Sequence, residues 1–390
     1  MATSLTQGPA GRVELSDRRA RRLAMPLRHV DPSLVVATVT ISGLGLLMLY
    51  SATRDRLERA GIDPFYFVKR QGLAVAAGLV VMVLVMVVDY RKLRDFWPVV
   101  YGALLVPLVI VISPVGSQVR GTQAWIQLPG GFQFQPSELF KFGMVVGLAG
   151  YLHRHRGELD ARRVIGALVL AGTPIALVMK QPDLGTAMTL GAIFLAVLTV
   201  AGVRVRHLVV LGLMAFTGVV LVVQMGMLEA YQVDRFTAFL NQGSDTRDVT
   251  YNLDQAKTAI GNGGLTGRGL FHGPQTNGAF VPENHTDFIF TAVGEQLGFA
   301  GSATLLTLFA VVVWRTWIAA RDAPDLFGVL ACTGVVAMFA VQVFENIGMT
   351  MGIMPVTGIP LPLVSYGGTS VVATFALVGL VANIQMRRYT

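Results

Sequence analysis

The chain has 390 residues, of which 53% are hydrophobic and only 14% are charged, with a mean hydropathy of +0.59. A soluble domain carries about 25% charged residues, so this composition excludes a set of soluble domains and predicts one polytopic membrane domain. The net charge of +8 is not gathered into basic runs interleaved with aromatic residues, which argues against nucleic-acid binding. The single cysteine, Cys332, excludes an intramolecular disulfide.

The first segment, residues 1–32, is polar and rich in arginine, and it has no apolar core or small-residue cleavage site. A cleaved signal peptide would need both of these features. We therefore predict a mobile cytoplasmic tail over 1–32, followed by a single membrane domain over 33–390.

Ten apolar stretches follow, most of them long enough for a helix that crosses a bilayer core of about 30 Å. They lie at about 33–52, 71–88, 96–113, 137–152, 164–179, 184–202, 207–226, 287–319, 326–345 and 369–386. The eighth is too long for one straight span, and Gly294, Gly298 and Gly301 are positions at which it can kink. The sequence thus predicts an all-α polytopic membrane protein with about ten transmembrane helices.

Positive charge predicts the orientation of these helices. With the N-terminus inside, 19 of the 31 lysine and arginine residues fall on the inner side and 11 on the outer side. The positive-inside rule therefore places both termini in the cytoplasm.

In this orientation, the long loops without a regular hydrophobic pattern lie on the outer side. Loop 114–136 is rich in proline and glycine, and the large extracytoplasmic loop 227–286 contains an amphipathic stretch, Tyr251 to Ile260, that suits a helix on the membrane surface. The glycine-rich run 261–269 lacks the preceding strand and the Gly-Lys-Ser/Thr ending of a phosphate loop, so we interpret it as a flexible turn. Segment 346–368 is too apolar for solvent and too rich in proline and glycine for a straight helix, which predicts a re-entrant segment.

Asp287 stands where the polar loop meets the apolar eighth span. Burying a carboxylate at the centre of a membrane helix costs about 2.5–3.5 kcal/mol, so such a residue is a candidate for function. Arg235 opens the long loop on the same side. His285, two residues before Asp287, is more simply explained as a capping or interface histidine.

Two charged pairs lie near the outer ends of other spans. Glu138 and Lys141 share one helix face, and Lys180 and Asp183 occupy the turn between the fifth and sixth spans. Each pair taken alone could merely neutralise charge at a helix end. The clustering of ionisable groups on one side favours a polar cavity, in which cations hold an anionic group and a carboxylate takes a proton.

Two uncharged residues complete the set of candidates. Trp125 is either an interfacial anchor or a ring that stacks on a sugar, and Ser365 lies beside two glycines at the start of the last span. No Asp-x-Asp, HExxH, GxSxG or paired-cysteine metal pattern occurs in the sequence.

At these residues the chain resembles the SEDS family (shape, elongation, division and sporulation). The matching motifs are QPSELFKF at 135–142, KQPDLGTA at 180–187, AIGNGGLTGRGLF at 259–271, VPENHTDFIF at 281–290 and NIGMTMGIMPVTGIPLPLVSYGGTS at 346–370. Lys180 before Gln-Pro-Asp, the short C-terminal tail and the PLPLVSYGG form resemble the RodA branch, with the FtsW branch as the near alternative.

The resemblance implies a peptidoglycan glycosyltransferase that polymerises lipid II at the outer side of a bacterial plasma (inner) membrane, for cell elongation and rod shape. It also implies a class B penicillin-binding protein and other elongation-complex membrane proteins as partners. The presumed catalytic residue is Asp287, and the implied substrate-binding residues are Trp125, Glu138, Lys141, Asp183 and Ser365. The family usually has arginine before the tryptophan, whereas this chain has Ala124, so another cation, Arg120 or Arg235, would hold phosphate.

The chemistry of glycan elongation fits these residue types. A sugar hydroxyl attacks an anomeric carbon whose leaving group is a lipid diphosphate, which needs one base and positive charge but no general acid. Lys141, Lys180, Arg235 or a divalent cation, Mg²⁺ or Mn²⁺, could supply that charge. The alternatives are a lipid II flippase or transporter, an FtsW-like division polymerase and a scaffold without catalysis.

Overall fold

The computed structural model describes residues 30–114, 116–119, 122–157, 159–225, 233, 235, 237, 239, 247–278 and 280–388. The predicted tail therefore lies outside the described residues except for its last three positions. Most of the first part of the long loop lies outside them as well.

Every predicted span overlaps a helix, although several spans extend up to three residues beyond the helix bounds. The helices are α1 (Pro32–Arg59), α2 (Tyr66–Val87), α3 (Tyr90–Asp95), α4 (Trp97–Ile110), α5 (Pro136–Arg154), α6 (Ala161–Met179), α7 (Leu184–Val200), α8 (Val205–Gln224), α9 (Arg247–Gly263), α10 (Pro274–Asn277), α11 (Ile289–Arg321), α12 (Leu326–Met351) and α13 (Gly368–Met386). Among the described residues, six helices (α1, α2, α6, α11, α12 and α13) have the length and hydropathy of membrane spans, and α4, α7 and part of α8 are shorter apolar helices. The all-α polytopic membrane fold is confirmed.

Aspartate side chains begin five of these helices. In each case the carboxylate accepts a hydrogen bond from a backbone N–H of the first turn, which satisfies a donor that has no partner within the helix. The pairs are Asp31 with Ser33, Asp89 with Arg91, Asp160 with Arg163, Asp183 with Thr186 and Asp325 with Gly328, at 2.8–3.0 Å.

The core of the bundle is formed around α5 and α13, which are buried along nearly their whole length. α13 packs on α2, and α5 packs on α4 and α12. Glycines allow this close approach: a Cβ at Gly379 would lie 2.8 Å from the carbonyl oxygen of Met82, and one at Gly147 would overlap the ring of Tyr101. Small residues at helix contacts are what packing in lipid requires.

The eighth predicted span, α11, is interrupted at Gly298, where φ is 64° and ψ is −161°. The glycine-rich turn 264–269 inserts at this break. Phe299 N–H donates to Gly264 O at 2.9 Å, Ala300 N–H donates to Leu265 O at 3.0 Å, and Arg268 N–H donates to Glu295 O at 3.0 Å. The turn is therefore held at the break by backbone hydrogen bonds, although most of its residues are exposed, and the expectation of a flexible turn is corrected.

Two side chains of α11 hold the chain that follows this turn. The carboxylate of Glu295 accepts hydrogen bonds from Gln275 N–H at 2.8 Å and from the N–H and hydroxyl of Thr276 at 2.8 and 2.6 Å. Gln296 Oε1 accepts from Ser51 of α1 at 2.5 Å and from Phe271 N–H at 3.1 Å. A sequence pattern cannot show this docking, because the partners lie about 20–245 positions apart.

The amphipathic stretch forms α9 as predicted, but its apolar face packs against protein. α9 contacts α11 and α12, and Ala256 is fully buried in a small cluster with Val281 and Phe288. The prediction that this face lies on the membrane is therefore corrected.

The first outer loop forms a small antiparallel sheet that the sequence did not indicate. Its strands are β1 (Ser117–Val119), β2 (Thr122–Leu128) and β3 (Phe132–Phe134), in the order β1-β2-β3.

The predicted re-entrant segment starts later than expected, because residues 346–351 complete α12 and Gly352 ends it in the left-handed conformation. The remaining chain, 353–367, is irregular, and Ile359, Leu361 and Val364 are buried.

Candidate active site

A polar cavity of about 280 Å³, which we call the Asp287 cavity, lies at the end of the bundle that the charge distribution predicts to face outward. It is formed where the first residues of α5, α7, α11 and α13 meet β2 and the irregular segment before α13. Its lining includes Thr122, Ala124, Trp125, Gln135, Glu138, Asp183, Thr186, Arg235, Glu283, Thr286, Asp287, Thr357, Gly358, Tyr366, Thr369 and Ser370.

Asp287 is half-buried at the entrance to α11, and its carboxylate faces this cavity. Gly358 lies opposite. A Cβ added at Gly358 would lie 3.3 Å from Asp287 Oδ2 and 3.5 Å from Arg235 Nη1. A carboxylate and a guanidinium therefore border the same small space, which only glycine leaves open.

The backbone that carries Asp287 is held at three successive carbonyl oxygens. Tyr366 N–H donates to His285 O at 3.0 Å, the Ser365 hydroxyl donates to Thr286 O at 2.6 Å, and Asn346 Nδ2 donates to Asp287 O at 2.8 Å. The same Asn346 amide donates to Ile359 O at 2.7 Å. These bonds fix the loop before α11 against segment 353–367, so the carboxylate is positioned by its backbone.

Glu138 and Lys141 form a buried ion pair in the first turns of α5. Lys141 Nζ lies 2.6 Å from Glu138 Oε1, and each residue is only 2% exposed. Glu138 lines the cavity and Lys141 lies behind it. Lys141 therefore compensates the charge of Glu138, whose carboxylate is nearly fully buried in the wall of the cavity.

Asp183 caps α7 and also lines the cavity. Its Oδ1 accepts from Thr186 N–H at 2.9 Å, and its Oδ2 accepts from the Thr186 hydroxyl at 2.8 Å and from Gln135 Nε2 at 3.2 Å. Burial raises the pKa of the Asp183 carboxyl, whereas the bonds from Thr186 lower it. The wall of the cavity at α5 and α7 is thus a network in which Gln135 links the two helices.

A second cavity of about 470 Å³, the Arg70 cavity, adjoins the first. It is lined by the first turns of α2, by the β2–β3 hairpin and by the loop before α13. Trp125, Thr286, Tyr366 and Gly367 line both cavities. Its other lining residues include Tyr66, Phe67, Arg70, Gln71, Phe132 and His285.

The structure brings Trp125, Glu138, Asp183, Arg235 and Asp287 together in the Asp287 cavity. It places the other predicted residues elsewhere. Lys141 lies behind Glu138, Lys180 is exposed at the end of α6, His285 borders the Arg70 cavity, and Ser365 is buried with its hydroxyl bonded to backbone.

Two residues that sequence reasoning did not select have evident roles. Glu283 is a further carboxylate on the lining of the Asp287 cavity, and its Oε2 accepts from the Thr286 hydroxyl at 2.9 Å. It lies in the motif that contains Asp287, and this position in the sequence could have marked it as a candidate site residue. Asn346 is fully buried near the end of α12, and the only sequence signal was an amide within an apolar run.

Within the described residues, no group of three histidine, cysteine, aspartate or glutamate side chains could hold a metal ion. Magnesium sites commonly use one or two carboxylates together with substrate phosphates. A divalent cation here would therefore depend on phosphate oxygens in addition to a cavity carboxylate such as Asp287 or Glu283.

The sequence and fold match known proteins along nearly the whole chain. The family model described as "Cell cycle protein", which covers FtsW, RodA and SpoVE, matches residues 32–390. Stage V sporulation protein E of Bacillus subtilis is 36% identical over 91% of this chain and 96% of its own length. Peptidoglycan glycosyltransferase MrdB of Escherichia coli is 34% identical over 92% and 94%. A solved chain of a peptidoglycan synthase complex that coordinates polymerization and crosslinking superposes with a TM-score of 0.78 at 32% identity, covering 93% of this chain and 99% of that one.

Proposed function

The chain belongs to the FtsW, RodA and SpoVE (SEDS) family of membrane proteins, and from that premise we propose that it polymerises lipid II into glycan strands, with Asp287 as the base. The observation that carries this proposal is that Asp287 and Arg235 both approach Gly358 in a polar cavity. One group can accept a proton and the other can hold negative charge, which is the pair of functions that this transfer needs.

In the proposed reaction, the acceptor hydroxyl loses its proton to the Asp287 carboxylate while its oxygen bonds to the anomeric carbon of the donor. The bond from that carbon to the lipid diphosphate breaks, and the leaving group takes the electron pair. Arg235 stabilises the charge that develops on the departing oxygen. A single displacement inverts the anomeric centre, so an α-linked donor gives a β-linked strand.

Lys141 and Lys180 contribute less to this step than the sequence suggested. Lys141 is paired with Glu138 behind the lining, and Lys180 is exposed away from it. Arg235 is therefore the side chain we assign to the donor diphosphate. Mg²⁺ or Mn²⁺, bound by that diphosphate and one carboxylate, stays the alternative source of positive charge.

The same proposal covers location and partners. We propose that the cavity faces the outer side of the bacterial inner membrane and that a class B penicillin-binding protein crosslinks the strands. Support comes from the charge distribution and from the synthase complex to which the chain is similar. The motif forms favour a role in elongation, as in the RodA branch, and a division role as in the FtsW branch is the alternative.

Purified protein with labelled lipid II, alone and with the partner, tests the proposal. Wild type should give glycan strands on a gel, and Asp287→Asn should reduce the rate by about 10²–10⁴-fold, which is the usual contribution of a general base. Glu283→Gln is the matched control because it neutralises another carboxylate of the same cavity and should retain far more activity. Full polymerisation by Asp287→Asn would exclude Asp287 as the base.

A further inference from the structure

We propose that Glu345 is a positioning residue: it holds the proton of the Thr357 hydroxyl, so that the hydroxyl oxygen accepts a hydrogen bond from a sugar bound beside Asp287. This inference rests on the polymerase function proposed above. Thr357 lies on the lining of the Asp287 cavity. It immediately precedes Gly358, the residue that Asp287 and Arg235 both approach. A sugar group at Thr357 would therefore lie one residue away from the proposed reacting atoms.

The first support is the burial of Glu345 within a membrane span. Glu345 lies less than two turns before the end of α12, and only 1% of it is exposed. A carboxylate within a membrane helix is costly, so such groups face the protein interior, pair with another polar group and mark functional sites. The partner here is the Thr357 hydroxyl, which donates to Glu345 Oε1 at 3.2 Å. A carboxylate of the span is thus tied to a side chain of the Asp287 cavity.

The second support is that the backbone around Thr357 is held as well. Asn346 of α12 donates from Nδ2 to Ile359 O at 2.7 Å, two residues after Thr357. The neighbouring helix α7 also lies close, because a Cβ added at Gly185 would be 3.2 Å from Thr357 O. Thr357 is therefore fixed between two helices, and the hydrogen bond to α12 sets the direction of its hydroxyl.

The direction of this bond determines what Thr357 can offer a substrate. A threonine hydroxyl has one proton and two acceptor lone pairs. Because the proton points to Glu345, only acceptor capacity is left for the cavity, and Thr357 is half-buried there. Its oxygen suits a donor, such as a sugar hydroxyl or an acetamido N–H, and disfavours a phosphate oxygen, which is itself an acceptor.

Arg235 has the opposite preference. A guanidinium only donates hydrogen bonds and suits phosphate oxygens. Arg235 and Thr357 both border the Asp287 cavity beside Gly358. A bound sugar diphosphate would therefore be oriented, with its phosphate oxygens toward Arg235 and a sugar donor toward Thr357. Sites that hydrogen-bond a substrate hydroxyl or N–H discriminate strongly against molecules that lack it.

Steady-state polymerisation of labelled lipid II by the purified full chain tests the inference. Thr357→Val keeps the shape of the side chain but removes the oxygen, so the sugar donor loses its partner. We expect KM to rise about tenfold to a hundredfold with little change in kcat, because the contact binds the sugar without taking part in the transfer. Thr357→Ser keeps the hydroxyl and should have a KM close to that of wild type.

Glu345→Leu frees the hydroxyl proton of Thr357 to turn toward the cavity. KM should rise about twofold to tenfold, because the oxygen then accepts from the sugar only part of the time. The unfolding temperature should stay the same or rise, since an apolar side chain replaces a buried carboxylate. A residue that only held segment 353–367 in place would give the reverse result, a lower unfolding temperature with KM unchanged.

The double variant Glu345→Leu with Thr357→Val separates action through the hydroxyl from an independent role. Its KM should equal that of Thr357→Val, because Glu345 acts on a hydroxyl that is no longer present. A further rise in KM, by the factor seen for Glu345→Leu alone, would overturn the inference. A wild-type KM in Thr357→Val would overturn it as well.

Thr350→Val is the matched control for the loss of a threonine hydroxyl. Thr350 is fully buried in the last turn of α12, and its hydroxyl donates to Ile347 O at 2.8 Å. Its replacement should leave KM unchanged. If wild type made no strands, or Asp287→Asn polymerised fully, the proposed function would fail. An active wild type whose KM is the same in Thr357→Val would contradict this inference alone, so the two failures are distinguishable.

Discussion

Asp287 and Arg235 approach the same point above Gly358: a Cβ there would lie 3.3 Å from the carboxylate Oδ2 and 3.5 Å from the guanidinium Nη1. Gly358 also has a φ of +76°, which disfavours any other residue. The glycine therefore keeps open the space in which, on our proposal, the reacting atoms meet.

The first prediction concerns Gly358→Ala. The new methyl group should crowd both charged side chains and lower the glycan synthesis rate by at least about tenfold, since small displacements in an active site are costly. Gly61→Ala is the control: Gly61 has a similar φ of +68° but nothing within 4 Å of its Cβ position. The two variants should lose similar stability, about 1–2 kcal/mol, and differ in rate. Equal rates in both would mean that the space at Gly358 is not used.

The second prediction concerns the amide that holds the catalytic loop. Asn346→Leu removes the donor for both Asp287 O and Ile359 O, and unsatisfied buried carbonyls cost about 1–3 kcal/mol. We expect a lower unfolding temperature and a lower turnover number with little change in KM, because binding residues are untouched. Gln342→Leu, one turn earlier and equally buried, is the control. Its Nε2 has no hydrogen-bond partner among the described residues, so its loss should be neutral or stabilising.

These two positions show what hydrophobic patterning can and cannot predict. Each apolar stretch became a helix because length and hydropathy alone define a span. The sheet around Trp125 was missed because its strands are short and lie among glycine and proline, which mark loops. Asn346 was missed because its partners, Asp287 O and Ile359 O, are backbone atoms of segments distant in sequence, and no residue pattern identifies them.

The candidate site was predicted in part for the same reason. Charged residues at helix ends are visible in a sequence, so Glu138, Asp183 and Asp287 were selected and do line one cavity. The sequence does not show whether each side chain is buried or exposed. Lys141 and Lys180 were both predicted to supply positive charge, yet Lys141 is buried against Glu138 and Lys180 is exposed.

The third prediction concerns the Glu138–Lys141 pair. Lys141→Met leaves the Glu138 carboxylate buried at 2% exposure without its partner and should cost about 3–5 kcal/mol of unfolding free energy. The double substitution Glu138→Gln with Lys141→Met should recover most of that loss, because no unpaired charge remains. Denaturant unfolding of the single and double variants in detergent measures the difference. A double variant as unstable as Lys141→Met would show that packing, and not charge, determines the cost.

The fourth prediction concerns the break in α11. Gly298→Ala puts a side chain where φ is 64° and ψ is −161°, and its methyl group would overlap the amide nitrogen of Gly267. We expect a loss of at least about 3 kcal/mol and faster hydrogen exchange over the turn 264–269. Gly212→Ala in α8 is the control. It meets nothing within 4 Å and should gain about 0.5–1 kcal/mol. A turn that exchanges no faster in Gly298→Ala would contradict its docking at the break.

The last prediction concerns pH. Burial raises the pKa of Asp183 above its value in the unfolded chain, so folding favours the protonated carboxyl. The stability from this group is fully present below the unfolded pKa, about 3.8, and falls as pH rises through the higher folded pKa. Asp183→Asn should keep the cap of α7, since asparagine caps as well as aspartate, and should flatten this dependence and raise the unfolding temperature at neutral pH. Asp160→Asn, at the exposed cap of α6, is the control for replacing a capping carboxylate by an amide. The unfolding temperature could instead change by the same amount between pH 4 and pH 7 in wild type and in Asp183→Asn. That result would contradict Asp183 as the source of the pH dependence.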